Sequence, residues 1–167
     1  DVQNEIIGVL FMYEYIIGNV VDVYEDYLVI ENNGIGYKIY STKNLLSKLD
    51  KSSDIKIYTY LDVREDEMLL FGFSSKEEKE MFELLLLVSK VGPKTAVGVL
   101  STLSSKDIKL AILSNNVEVL CKAPGIGKKT ANRIILELKD RIDDTIDSGS
   151  EFDLKYDDNC MEEAIRA

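Results

Sequence analysis

One segment of the chain combines glycines, lysines and a helix start in the arrangement of a phosphate-binding loop. Residues 120–131 read LCKAPGIGKKTA, so a helix ends, a turn with two glycines follows and a second helix begins. Glycine permits a left-handed backbone and the close approach of another backbone. The free N–H groups of the second helix, surrounded by Lys128, Lys129 and Arg133, would attract a phosphate. Such contacts touch only a nucleic-acid backbone, so they read no base sequence.

A weaker copy of this pattern lies earlier in the chain. Residues 88–96 read VSKVGPKTA, which places Gly92 before Pro93 and Lys94 at the predicted start of another helix. Either copy alone is as typical of an ordinary turn between helices as of a phosphate site. Two lysine-rich copies form an internal repeat, and their joint occurrence favours phosphate binding.

The distribution of charge supports the same interpretation, although the chain as a whole is acidic. Its formal net charge is −10. Residues 90–133 nevertheless carry eight basic and two acidic side chains, a local net charge of +6. The local field, rather than the total charge, governs phosphate binding. Chance clustering on a solvated face is the alternative explanation of this segment.

An acidic segment is the third feature that could act on DNA. Residues 62–68 read DVREDEM and lie between two predicted strands. Taken alone, the segment is typical of a solvated hairpin tip. Beside bound DNA, a rigid acidic tip would repel phosphates and could hold strands apart at a branch point.

Composition excludes several kinds of chemistry. Histidine is absent, which removes the commonest general base and the commonest zinc ligand. Cys121 and Cys160 lie far apart without a CxxC motif, so we expect no metal site and no disulfide framework. Residues 125–130 superficially resemble a P-loop, but Lys122 and Lys129 occupy the positions of its first glycine and its Ser/Thr. We therefore expect no catalytic residues, no ATPase activity and no cofactor.

The elements that must position these segments fall into two sets. Residues 12–73 contain about five short stretches rich in β-branched and aromatic residues, with a tight-turn signal (NNG) at residues 32–34. Strands of this kind are typical of a small closed barrel. A short helix is expected over residues 42–49. Beyond the strands the period becomes helical, beginning with a capping box at Ser75 and Glu78.

The predicted fold class is therefore α+β, with five segments along the chain. Residues 1–11 form an extension, 12–74 a β-barrel domain, 75–142 a helical domain, 143–159 an acidic flexible linker, and 160–167 the start of a truncated C-terminal helical domain. No apolar run approaches the ~18 residues that span a membrane. The acidic start is unlike a secretory signal, so we expect a cytoplasmic protein with no membrane partner.

The ordered set of motifs resembles the RuvA family, the bacterial Holliday-junction-binding subunits of a branch-migration complex. The resemblance covers residues 12–142, and the tail resembles the start of the family's third domain. The motif around residues 124–131 occurs in many helix-hairpin-helix proteins, whereas the complete set is more specific. That set is GIGY at 34–37, VRED at 63–66, LFGF at 70–73, VGPK at 91–94 and PGIGKKTA at 124–131.

The resemblance implies an OB-fold barrel, two helix-hairpin-helix motifs and a homotetramer whose symmetry matches four DNA arms. It implies structure-specific binding of four-way junctions, held open for branch migration in recombination and repair. The implied partners are a RuvB-type ATPase motor and a RuvC-type resolvase. Glu65 and Asp66 match the family's acidic pins. The implied DNA-binding residues are Val91, Gly92, Pro93, Lys94 and Thr95 in the first hairpin, and Gly125, Ile126, Gly127, Lys128, Lys129, Thr130 and Arg133 in and after the second.

The chain departs from the family pattern in two places. Lys90 stands where the family usually has glycine, which predicts a strained or differently built left-handed turn. The third domain, through which the family binds the motor, is nearly absent from this sequence. We therefore expect the chain by itself to bind the motor poorly.

Two other classes of function remain open from the residues alone. A helix-hairpin-helix glycosylase or nuclease would need a catalytic acid or lysine near the second hairpin. The aspartates closest downstream are Asp140, Asp143 and Asp144, which lie at a predicted helix end. The hairpins could instead bind protein. Magnesium-dependent loss of substrate would indicate the enzyme, and a mobility shift with DNA would argue against the protein-binding module.

Overall fold

The computed structural model describes the backbone of residues 12–149 and the side chains of residues 12–142. The strands are β1 (Tyr15–Val23), β2 (Tyr27–Asn32), β3 (Ile35–Ser41), β4 (Asp54–Val63) and β5 (Met68–Phe73). The helices are α1 (Lys43–Leu46), α2 (Lys76–Leu86), α3 (Pro93–Thr102), α4 (Ser105–Leu113), α5 (Val117–Leu120) and α6 (Lys128–Gly149). The predicted α+β class is confirmed. No helix in this part of the chain is long and apolar enough to cross a membrane.

The five strands form a closed barrel in the order β1-β2-β3-β5-β4. All pairs are antiparallel except β3 with β5, which run parallel. Alternate side chains point inward, as the pleat of a strand requires. The barrel core includes Val20, Leu28, Ile30, Ile39 and Ile57, all fully buried. The predicted small closed barrel, an OB-like fold, is thus confirmed.

The tight turn between β2 and β3 has the predicted geometry. Asn33 and Gly34 have φ angles of 49° and 80°, and Asn32 pairs with Ile35 across the hairpin. Two consecutive residues with positive φ give the turn the twist that antiparallel strands need. The Asn-Gly signal therefore fixes the register of this hairpin.

Helix α2 begins as its capping pattern predicts, with one difference. The Oγ atom of Ser75 accepts a hydrogen bond from the Glu78 N–H at 3.1 Å. The Glu78 carboxylate accepts from the N–H of Ser74 at 3.0 Å and from its hydroxyl at 2.7 Å. In the standard box that carboxylate would reach the cap residue itself. Here the reciprocal bond ties the helix start to the end of β5.

Strand β5 of the barrel contributes two phenylalanines to the hydrophobic core of the helices, while the interior of the barrel forms a second cluster. Phe71 and Phe73 of β5 pack against Phe82 of α2, with ring centroids 5.5 Å and 4.7 Å apart. Tyr60 of β4 meets the same ring edge-on at 5.3 Å. The division predicted at residue 74 therefore marks a change of secondary structure, while packing continues across it. This aromatic packing fixes the helical hairpins relative to the barrel.

An ion-pair group links the segment before β1 to α2. Lys79 is buried, and its Nζ lies 2.8 Å from a Glu14 carboxylate oxygen and 3.7 Å from one of Glu83. Burial, opposed by the Lys79 charge and reinforced by Glu14 and Glu80, raises the pKa of the Glu83 carboxyl. The group is a second tie between barrel and helices.

Helix α6 corrects the start of the predicted linker. The sequence predicts a flexible linker from residue 143, but the helix continues to Gly149. The physical reason is visible in the spacing of Leu138, Ile142 and Ile146, which keeps the helical period through the acidic stretch. The predictions for residues 1–11 and 150–167 lie outside the described residues.

Candidate nucleic-acid interface

The two predicted hairpins have the same backbone hydrogen bonds. In the first, between α2 and α3, the Val91 N–H donates to the Val88 carbonyl at 3.1 Å. In the second, between α5 and α6, the Ile126 N–H donates to the Ala123 carbonyl at 3.2 Å. All four side chains are buried, Ile126 with 5% of its surface exposed. The internal repeat is therefore a repeat of geometry, and Ile126 anchors its turn as the sequence predicts.

Each turn contains one residue in the left-handed region. In the second hairpin this residue is Gly125, with a φ of 80°. In the first it is Lys90, with a φ of 68°. A residue with a Cβ atom adopts this conformation at a cost that glycine avoids. The strained turn predicted from Lys90 is present.

The glycines that precede the two helices are not required by the fold itself. Gly92, the N-cap of α3, has a φ of −92°, and Gly127, directly before α6, does not have a left-handed φ. A Cβ atom added to either glycine would meet no atom within 4 Å. Both positions could thus hold a side chain, and glycine leaves the helix start bare instead.

The starts of the other four described helices differ, because each has a side-chain cap. The side chains that cap α1, α2, α4 and α5 each accept a hydrogen bond from a first-turn N–H. Gly92 provides no such bond, and glycine at position 127 cannot provide one. The first-turn N–H groups at both hairpins are left for an external acceptor. The four capping residues elsewhere are Thr42, Ser75, Ser104 and Asn116.

The lysines beside these helix starts point to solvent. Lys90, Lys94, Lys128 and Lys129 are exposed, and none has an ion-pair partner among the described side chains. Thr95 and Thr130 are half-buried. The side chains of Val91, Pro93 and Ile126 are buried, and proline has no N–H to donate. Of the predicted set, the lysines and the glycine backbones are therefore the groups that face outward.

Arg133 has a different environment from the lysines. Its Nη1 donates to the Ser89 carbonyl at 3.3 Å, and its Nε lies 3.9 Å from Glu137. The Glu137 carboxylate in turn accepts from the Ser89 N–H at 3.3 Å and from its hydroxyl at 3.4 Å. The structure therefore places Arg133 in a network that ties the first hairpin to α6. Sequence reasoning missed Ser89 and Glu137, because nothing local relates residues so distant in the chain.

The two predicted pin residues lie at the tip of the β4–β5 hairpin. Glu65 and Asp66 are exposed in a two-residue turn closed by a hydrogen bond of 2.9 Å from the Arg64 N–H to the Glu67 carbonyl. The Arg64 guanidinium pairs with Asp62 at 2.9 Å. The tip is thus a compact acidic projection on a paired stem.

The base of this projection faces the first hairpin. Arg64 and Glu67 line a cleft of about 240 Å³ together with residues 92–95 at the start of α3. The second hairpin lies near α3 as well, since a Cβ atom added to Gly98 would contact Pro124 at 3.6 Å. The structure therefore brings both hairpins together and sets the acidic tip beside the first.

The residues considered for metal or catalytic chemistry form no cluster in the described part of the chain. Among those residues no three His, Cys, Asp or Glu side chains are placed to hold a metal ion. Asp140, one of the acids considered for an enzyme, is exposed on α6. The side chains of Asp143 and Asp144 lie outside the described set.

Two family models match the chain over most of its described length. A model of the RuvA N-terminal domain matches residues 12–72, and a model of a SAM-like helix-hairpin-helix tandem matches residues 82–140. These ranges correspond to the barrel and to the two hairpins with their helices.

Curated relatives agree with both models. The Holliday junction branch migration complex subunit RuvA of Alkaliphilus oremlandii is 52% identical over 134 residues, which cover 80% of this chain and 69% of the relative. That of Finegoldia magna is 48% identical, covering 79% and 67%, and that of Clostridium beijerinckii is 47% identical, covering 90% and 77%. With barrel, tandem hairpins and acidic tip all in place, the chain belongs to the RuvA family.

Proposed function

We propose that this chain binds four-way DNA junctions and holds them open for branch migration in recombination and repair. Its relatives are named as subunits of a Holliday junction branch migration complex. In this proposal the chain works in the cytoplasm as a non-catalytic DNA-binding subunit. Its partners are a RuvB-type ATPase motor, which supplies the energy, and a RuvC-type resolvase.

The bare helix starts carry the proposal. Two helices begin at glycines whose side-chain space is empty, while the other four described helices have side-chain caps. Unpaired first-turn N–H groups and adjacent lysines form a site for an anion that approaches the backbone closely. A DNA phosphate fits that description, and two such sites on one rigid unit would hold two phosphates of one duplex arm.

The acidic tip explains why the protein would prefer junctions to continuous duplex. A tip with Glu65 and Asp66 repels any phosphate brought near it, since like charges a few ångströms apart are only partly screened. Along a continuous duplex this repulsion opposes binding. At a four-way junction the strands diverge at the centre, so the hairpins can hold an arm while the tip occupies the opening.

A homotetramer is part of the same proposal. A four-fold assembly would offer one pair of hairpins to each arm and would collect four acidic tips at the centre. Size-exclusion chromatography with light scattering tests this directly. We expect a mass of four chains at micromolar concentration, and a monomer there would contradict the assembly.

A competition gel shift tests the proposed function. Labelled four-way junction is titrated with the protein in the presence of excess linear duplex of the same sequence, at two salt concentrations. We expect the junction to be retained against the duplex by orders of magnitude, and binding to weaken steeply with salt. Equal competition by duplex would reduce the hairpins to general phosphate contacts and leave the acidic tip without a role.

A further inference from the structure

We propose that Lys90 is an additional phosphate contact in this chain, kept at a backbone position where glycine would be less strained. The inference rests on the proposed function and adds a binding residue to the first hairpin. Because Lys90 takes the position that Gly125 has in the second hairpin, the two hairpins provide an internal control for it.

The backbone at Lys90 is fixed on both sides. Lys90 has a φ of 68° and lies between Val88 and Val91 in the chain. Both valines are buried, and the hydrogen bond between them closes the turn. The preceding residue, Ser89, is bound through its N–H, hydroxyl and carbonyl to Glu137 and Arg133. The left-handed conformation is therefore imposed by the surrounding structure, and a lysine there bears a cost that glycine would not.

The Lys90 side chain makes no interaction that would offset this cost within the described protein. It is exposed and has no hydrogen bond or ion pair with the described residues. Glu137, the carboxylate that reaches this hairpin, is already paired with Arg133 and hydrogen-bonded to Ser89. The ammonium is thus available to an external anion.

A position-by-position comparison shows what the lysine supplies. The second hairpin places two consecutive lysines, Lys128 and Lys129, in the first turn of its helix. The first hairpin has Pro93 and Lys94 at the matching positions, so its helix start carries one lysine less. With Lys90 in its turn, the first hairpin also has two lysines without an ion-pair partner among the described residues. We infer that it contacts the DNA backbone alongside Lys94.

Three substitutions at this position separate charge from strain. Lys90→Gly removes both, Lys90→Gln removes the charge alone, and Lys90→Arg keeps the charge. Lys48→Gln, at an exposed lysine between α1 and β4, is the matched control. Each variant is assayed for its apparent melting temperature and for junction affinity over a series of salt concentrations.

We expect Lys90→Gly to melt about 2–5 °C higher than the wild type. Its junction affinity should fall about three- to tenfold, and the slope of log affinity against log salt should decrease by about 0.9 for each Lys90 engaged. Lys90→Gln should lose the same affinity without the gain in melting temperature. Lys90→Arg and Lys48→Gln should bind as the wild type does.

Other results would overturn the inference. Wild-type affinity and salt slope in both Lys90→Gly and Lys90→Gln would show that Lys90 contacts no phosphate, while leaving the proposed function intact. A loss in Lys90→Gly alone would show that the shape of the turn matters and the charge does not. A wild-type protein with no preference for the junction would contradict the proposed function and this inference together.

Discussion

The two hairpins build one backbone geometry from different residues. The second has Gly125 in the left-handed position, and its turn follows the short helix α5. The first has Lys90 there and is held from outside by Arg133 and Glu137 of α6. A strained residue and an external tie thus occur together in one hairpin, while the other relies on the intrinsic preference of glycine.

The two hairpins differ in the residue at the left-handed position but share the glycine before the following helix. The left-handed glycine, which folding favours, is present in only one of them. The glycines before α3 and α6 are present in both, although the fold itself leaves room for a side chain at each. Under the proposed function, Gly92 and Gly127 allow DNA to approach the helix starts, whereas Gly125 allows its turn to form.

Removal of both lysines at the start of α6 should produce the largest effect. The Lys128→Gln/Lys129→Gln variant is expected to lose about a hundredfold in affinity for all DNA. Its salt slope should fall by about two contacts for each subunit engaged, since both lysines are unpaired at the helix start. Lys94→Gln should lose only one contact. Unchanged affinity of the double variant in filter-binding titrations would exclude the second hairpin from the interface.

A lysine placed in the left-handed position of the second hairpin should destabilise the protein, because no hydrogen-bond network from another helix is expected to support that turn. Gly125→Lys places a side chain at a φ of 80°, where a Cβ atom costs about 1–2 kcal/mol of folding free energy. Denaturant titration should show this loss, because no network comparable to that of Ser89 is expected to hold the second turn. Stability equal to the wild type would show that the left-handed position is unstrained and would remove the basis of the comparison.

Neutralisation of the acidic tip tests whether its two carboxylates repel DNA phosphates. Glu65→Gln/Asp66→Asn should bind linear duplex a few-fold more tightly, because it removes repulsion without removing a contact. Junction affinity should stay the same or rise by a smaller factor, so the ratio of junction affinity to duplex affinity should fall. A gel-shift series in which affinity for every DNA falls would contradict the repulsive role.

Loss of the Glu137 tie should have the smallest and most local effect. In Glu137→Ala the Ser89 N–H loses its acceptor, so amide hydrogen exchange around residues 88–91 should become faster. Exchange around residues 123–126 should not change. Equal acceleration at both turns would indicate that α6 supports the hairpins as one body and that the tie is not specific to the first.

Local patterns predicted much of this molecule, and distant pairings account for most of what they missed. The Asn-Gly turn, the cap at Ser75 and the two hairpins each depend on residues a few positions apart, so their geometry follows from propensity and spacing. Helix α6 extends further than predicted, because the acidic composition after residue 142 is typical of a linker although the helical spacing continues. The sequence could not predict that Arg133 turns to Ser89, since that choice depends on how α6 packs beside the first hairpin.

The sequence did not indicate the packing of β5 against the helices either. The change from strand to helix after Phe73 is legible in the sequence, but the packing of Phe71, Phe73 and Phe82 depends on where the barrel closes. The same packing sets the acidic tip beside the first hairpin, which the motifs alone did not indicate. The sequence therefore predicts the chemistry of each motif, whereas the arrangement of the motifs in space is known only from the structure.

The central claim is that both hairpins offer bare helix starts to DNA phosphates, and one pair of substitutions tests it most directly. Gly92→Asp and Gly127→Asp each add a residue that favours the N-cap and a charge that repels phosphate. Asn116→Asp, at the cap of α5, adds the same charge away from the bare helix starts and is the control.

Junction affinity and melting temperature are measured on the same samples. The account predicts that each glycine variant melts at or slightly above the wild-type temperature and binds the junction at least about tenfold more weakly. The control should retain wild-type affinity. Wild-type binding by both glycine variants would contradict the account, because it would show that no phosphate approaches the backbone at either helix start.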